Sequence, residues 1–226
     1  MKSDQIQIPG LPLRPDLYHH LFNPWSALHR RMSDIYWTKP VGWNKAAKKE
    51  SKRRRVWCSS LTDWCSPDAP DAQRDRLWDL IGRTKSLDWL LITGRPADIQ
   101  SLLPTDWGDN GYENVWLGVR VTDRDKIGNI DILRSVPGVI TRFVLFNPLM
   151  ECVGRVNLKN IDWTIIEGPS WQGCHPIDPR HVEHLRRQII HQRVPMYFKQ
   201  WGGQSSDHGG SIIYGVEIKQ LPQNYR

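Results

Sequence analysis

From residue 56 onward, short apolar runs alternate with stretches in which apolar residues recur every three or four positions. The runs VWCSSL (56–61), WLLIT (89–93), VWLGVRV (115–121), RFVLF (142–146), WTIIEG (163–168) and PMYFKQW (195–201) read as buried strands. Between them, PDAQRDRLWDLIGRT (70–84) predicts a helix with Leu77, Leu80 and Ile81 on one face. Pro96 opens a short helix through ADIQSLL, at a position where proline is tolerated. Residues 123–136 predict another helix, with Asp123 as N-cap and Ile127, Ile130 and Leu133 aligned. The clearest helix covers 178–193, where Val182, Leu185, Ile189 and Ile190 share a face. Residues 1–44 are rich in Pro, His and Trp and show no clear period. The stretch GGQSSDHGGS reads as a flexible loop, and GVEIKQLP as a last extended segment.

Short apolar strands separated by helices predict a parallel sheet covered by helices. The expected fold is therefore α/β, with an irregular N-terminal segment (1–44), a basic linker or loop (45–55), the α/β body (56–203) and a C-terminal tail (204–226). In parallel sheets, ligands gather at the carboxyl ends of the strands. Those ends offer Ser59, Ser60 and Asp63; Thr93 and Arg95; Arg120, Thr122 and Asp123; Asn147; Glu167, Ser170 and His175; and Lys199, Gln200 and Trp201. No GxGxxG or GxxxxGK[ST] pattern occurs, so dinucleotide and P-loop sites lack support.

Charge changes this picture at one place. The formal net charge is +7, and KAAKKESKRRR (45–55) holds seven basic residues against one acid. This leaves a near-neutral body carrying one basic cluster: Lys45, Lys48, Lys49, Lys52, Arg53, Arg54 and Arg55. Such a cluster either contacts a polyanion, releasing counterions from nucleic acid, or is a solvated loop or helix end. Twelve tryptophans either stack on bases or fill a core, and core packing is the ordinary fate of tryptophan. No run of about 18 apolar residues occurs, so no membrane span is expected. The N-terminus lacks the apolar region of a secretory signal, and a cytoplasmic protein is expected.

The cysteines Cys58, Cys65, Cys152 and Cys174 are 7, 87 and 22 residues apart. No C-x2-C pair exists, which excludes a zinc ribbon or thioredoxin-type motif. Cys58 within a strand reads as buried and inert rather than nucleophilic. His175 beside Cys174, and His184 seven residues before His191, each lack the further ligands of a metal site, so no metal is expected. Ser170 in GPSW is not a G-x-S-x-G elbow.

Several segments carry a family resemblance: NPW (23–25), WTKPVGWNKAAK (37–48), VWCSSLTDW (56–64), LDWLLITGRPADI (87–99), NVWLGVRVTD (114–123), RFVLFNPLM (142–150), IDWTIIEGPS (161–170) and VPMYFKQWGG (194–203). In order and spacing over most of 23–203, the chain resembles the phage-associated family known as domain of unknown function 5131, related to radical SAM barrels. The resemblance implies a partial (β/α) barrel and, in relatives, an iron–sulfur cluster with S-adenosylmethionine. It places the chain in the cytoplasm of a host bacterium. Where the family carries a C-x6-C-x2-C-Y loop after NPW, this chain runs directly into SALHRRMSDIYWTKP. A [4Fe–4S] cluster needs clustered thiolates. The family's KRP stands here as Gly94-Arg95-Pro96, its CEP-like motif as Phe146-Asn147-Pro148 and its GGES as Glu167-Gly168-Pro169-Ser170. Neither cluster nor S-adenosylmethionine is expected in this chain, and the barrel reads as a degenerate shell.

Three functions follow. The first is a phage or prophage pseudoenzyme that binds a host protein, a nucleotide-like ligand or nucleic acid. The second is an enzyme acting on a nucleotide or nucleic acid with an altered site. The third is a nucleic-acid-binding module using Lys48, Lys49, Lys52, Arg53, Arg54 and Arg55. Asp63, Arg95, Arg120, Asp123, Asn147 and Lys199 would line the ligand site. For three of these an alternative stands: Asp63 caps a turn, Arg95 forms a surface ion pair, and Lys199 pairs with a buried acid such as Glu167.

Overall fold

A computed structural model describes residues 17, 20–22, 34–58, 63–205 and 209–222. Seven strands form one sheet in chain order: β1 (His20–Phe22), β2 (Arg54–Cys58), β3 (Leu87–Thr93), β4 (Val115–Arg120), β5 (Thr141–Phe146), β6 (Trp163–Glu167) and β7 (Met196–Gln200). Every neighbouring pair is parallel. Each strand lies beside its successor, so the sheet winds in one direction and curls into an open half-barrel. The helices are α1 (Asp34–Lys49), α2 (Asp71–Arg83), α3 (Ile99–Leu102), α4 (Gly128–Ser135) and α5 (Pro179–His191). No helix among the described residues is long and apolar enough to cross a membrane.

Strand alternation divides the core in two. Val56, Cys58, Trp89, Leu91, Val115, Leu117, Val119, Val144, Phe146 and Phe198 point to the helix side, where they meet Leu77, Leu80, Ile130, Leu133, Leu185 and Ile189. Trp57, Leu90, Ile92, Trp116, Phe143, Leu145, Trp163, Ile165 and Tyr197 line the inner face. Gly118, between Trp116 and Arg120 on that face, carries no side chain because the Phe143 ring fills its space. Two chain segments close the amino end of the half-barrel. Arg55 Nε donates to the Leu17 carbonyl at 2.7 Å, and Trp163 Nε1 donates to the Gln220 carbonyl at 2.8 Å. Trp171 is the one exposed tryptophan among those described.

Within the stretch read as a last extended segment (215–222), β9 (Val216–Glu217) pairs in a hairpin with β8 (Ile212–Ile213), and the residues that follow cover the edge of β7. Phe198 N–H donates to Ile218 O, and Gln220 N–H donates to Met196 O. This satisfies backbone groups that an open edge would leave unpaired.

The structure departs from the sequence reading at the basic stretch. The boundary at 44/45 falls inside α1, and residues 45–55 are the end of that helix, one turn and the start of β2. Pro40 and Gly42 inside α1 are weak helix formers and obscured its period. Its hold is tertiary: Trp37 is buried beneath the Arg76 guanidinium, Arg76 pairs with Asp34, and Trp43 stacks on His20 at 4.1 Å. The helix read over 123–136 splits into a 3-10 turn (Arg124–Lys126) and α4, with Asp123 capping the turn through Lys126 N–H.

Candidate functional site

Four polar residues mark the carboxyl end of the inner face. Arg120 ends β4, Asn147 follows β5, Glu167 ends β6 and Lys199 lies on β7. Alternation puts Arg120 on the same face as Trp116, and Lys199 on the same face as Tyr197. A β-bulge between Ile166 and Glu167 shifts the register there, so that Glu167 lies opposite Gln200.

Lys199 Nζ stands 2.6 Å from Glu167 Oε1, each side chain being 11% exposed. Gln200 Nε2 donates to the same oxygen at 3.0 Å. The Gln200 side chain is buried, and its Oε1 has no hydrogen-bond partner among the described residues. Arg120 Nε is also buried and without a partner, and no carboxylate lies within ion-pair distance of that guanidinium among the described residues.

Beyond the strand ends, the segments after β6 and β7 are clasped backbone to backbone. Gly203 N–H donates to Pro169 O at 2.7 Å, and Gly168 N–H donates to Gln200 O at 2.9 Å. A Cβ on Gly168 would meet Trp201 O at 2.0 Å, and Gly202 has a φ of +83°. This close approach explains why the two motifs carry glycine at those points.

The remaining predicted residues sit at the rim and are held by turns. Asp63 accepts from Gly94 N–H at 2.7 Å and from Cys65 N–H at 2.9 Å, tying the loops after β2 and β3 together. Arg95 pairs with Asp98 at 2.9 Å and is half-exposed. Asp123 accepts from the Thr122 hydroxyl at 2.6 Å and from Lys126 N–H, and these bonds lower its pKa. The structure therefore gathers Arg120, Asn147 and Lys199 with Glu167 at the inner carboxyl end, and leaves Asp63, Arg95 and Asp123 around it. Ser59 and Ser60 lie outside the described residues. The role of Gln200 was hidden, because a bulge is not visible in the apolar pattern.

The basic stretch divides by residue type. Arg53 forms two hydrogen bonds to Asp88 Oδ1, at 2.8 and 2.6 Å. Arg54 pairs with both oxygens of Glu50, and Arg55 is buried. Lys45, Lys48, Lys49 and Lys52 are exposed.

All four cysteines are described, and all are free thiols. Cys58 and Cys65 are buried in the helix-side core, and burial pushes the Cys65 thiol up. Cys174 Sγ faces the Gly203 carbonyl, and Cys152 lies beyond β5. No three of the described His, Cys, Asp or Glu side chains converge as a metal-ligand group.

No curated protein and no solved structure matches the chain. The sequence profile of one family, described as "Protein of unknown function (DUF5131)", matches residues 15–222, and the chain, a parallel α/β half-barrel with its polar residues at the strand carboxyl ends, belongs to that family.

Proposed function

We propose that this half-barrel is a binding protein for an anionic, nucleotide-like small molecule, seated at the inner carboxyl end without radical chemistry. The observation that carries the reading is Arg120. Its side chain is half-buried, its Nε is buried without a partner among the described residues, and a buried donor left unpaired costs free energy. Lys199 has Glu167, whereas Arg120 has no counter-ion among the described residues. At the carboxyl end, Arg120 and Lys199 against the one acid Glu167 leave a positive site that a phosphate or carboxylate would complete. A guanidinium binds such a group through two parallel N–H donors. Met150 and Trp171, 54% and 50% exposed on the segments after β5 and β6, supply apolar surface for a ring. The dispersed thiols support reading the chain as a pseudoenzyme. Phage or prophage origin and a host partner rest on the family resemblance alone.

The test is calorimetric titration of the full chain with nucleoside mono-, di- and triphosphates and with inorganic phosphate. Saturable one-to-one binding is expected, weakened at least tenfold by Arg120→Met. Binding that survives Arg120→Met unchanged, or no binding at about millimolar ligand, a Kd corresponding to roughly 4 kcal/mol, overturns the reading.

A further inference from the structure

The end of α1 carries a feature independent of the half-barrel mouth. Lys45, Lys48 and Lys49 follow the i, i+3, i+4 spacing of one helix face, Lys52 lies in the turn that closes the helix, and all four are exposed. The helix ends at Lys49, and Lys52 follows in its closing turn. Ser51 N–H donates to Lys48 O, Lys52 N–H donates to Ala47 O, and Ser51 takes a φ of 51°. That pair of bonds is a Schellman closure, which folds the chain back over the last turn. The only acid in the stretch is Glu50, and Arg54 already holds both of its oxygens. Each neighbouring lysine pair in the stripe is therefore a like-charge pair, which disfavours the isolated helix and favours a polyanion laid along it.

We infer that this stripe is a docking surface for the phosphate backbone of a nucleic-acid duplex, read without sequence preference. From Lys45 to Lys49 the helix rises about 6 Å at 1.5 Å per residue. A duplex carries one charge per ~1.7 Å of axis with both strands counted, so about three to four phosphates fall along that span. Lysine ammonium groups are point charges without a planar fork, suited to phosphates rather than base edges. No exposed apolar side chain interrupts the stripe between Lys45 and Lys52, which disfavours an anionic membrane, where an amphipathic helix must bury an apolar face.

The experiment is fluorescence anisotropy of the full chain with a labelled mixed-sequence duplex of about 20 base pairs, long enough to span several phosphates. A log–log plot of affinity against salt should have a slope of about −3 to −4, from roughly 0.9 per neutralised phosphate. Replacing the four lysines by glutamine should abolish binding while leaving the circular dichroism spectrum and melting temperature unchanged. Replacing them by arginine should keep the slope. Absence of duplex binding at low salt overturns the inference, as does a glutamine variant that keeps wild-type affinity and slope. Selective retention by phosphatidylserine vesicles in place of the duplex overturns it in favour of a membrane surface.

Discussion

Lys199 Nζ and Glu167 Oε1 lie 2.6 Å apart inside the mouth of the half-barrel, each side chain only 11% exposed. Removing one partner of such a pair leaves a buried charge without a counter-ion, at a cost of about 3–5 kcal/mol. Lys199→Met and Glu167→Gln should each lower urea stability by about that amount. The double variant Lys199→Met/Glu167→Met should lie near the wild type, since a buried pair replaced by apolar residues is often neutral or stabilising by ~1–4 kcal/mol. A double variant as unstable as the sum of the singles would show that the two residues act separately.

Gly118 and Phe143 share one volume on the inner face. A Cβ on Gly118 would meet ring carbons of Phe143 at 2.3 to 2.6 Å, and the ring is fully buried. Gly118→Ala should therefore destabilise by about 1–3 kcal/mol, the usual cost of overpacking. Adding Phe143→Leu should recover part of this loss, although Phe143→Leu alone leaves a cavity. Denaturant midpoints of the three variants check it: a second substitution that only deepens the loss would mean that the ring is not the obstacle.

Asp178 should make its contribution to α5 in a defined pH window. It accepts from Arg180 N–H at 2.8 Å and from the Arg180 guanidinium at 2.6 Å. The Arg180 side chain, then its backbone N–H, pulls the carboxyl down to about 2. A depressed folded value means stability present above the unfolded value of about 3.9 and lost as pH falls toward 2. Asp178→Asn keeps a capping oxygen but removes the charge. Its melting temperature should fall below wild type at pH 6 and converge on it by pH 2, and a gap that persists to pH 2 would assign the effect to something other than the carboxylate.

How much of this was legible in the sequence follows from what each element depends on. Helix α5 has a capping Asp178 and apolar residues at Val182, Leu185 and Ile189, so local pattern and tertiary packing agree. Strands β2 to β7 were equally plain because both of their faces are apolar over most of their length, whereas β1 falls in the stretch read as irregular. Helix α1 was not, because Pro40 and Gly42 oppose it locally while Trp37, Trp43 and Arg76 hold it through long-range contacts. At the mouth, the positions of Arg120, Asn147 and Lys199 at strand ends follow from the apolar pattern. The ion pairing of Lys199, its absence at Arg120 among the described residues, and the place of Gln200 depend on distances and a bulge that no linear pattern encodes.

The three arginines that end the basic stretch should behave unlike its lysines. Arg53 Nε and Nη2 both donate to Asp88 Oδ1, and Nη1 donates to Lys85 O at 2.9 Å. Asp88 is buried on β3, and burial raises its pKa against the opposing pull of Arg53 and Arg55. Arg53→Gln strips the carboxylate of its main partner and should cost roughly 1–3 kcal/mol or more at pH 7. A raised folded value places its stability contribution below the unfolded value near 3.9, and that contribution is lost as pH rises through the folded one. The deficit of Arg53→Gln should therefore be largest at neutral pH and shrink on acidification, and Arg53→Gln/Asp88→Asn should remove most of its pH dependence. Lys49→Gln, an exposed change, should alter stability by no more than about 0.5 kcal/mol at any of these pH values. Thermal melts from pH 4 to 8 separate the two cases. If Arg53→Gln were as silent as Lys49→Gln, Arg53 would not be supporting the buried carboxylate. If it is destabilised as expected, duplex binding lost on removing arginines reports unfolding, and the lysine variants alone test the phosphate-docking surface.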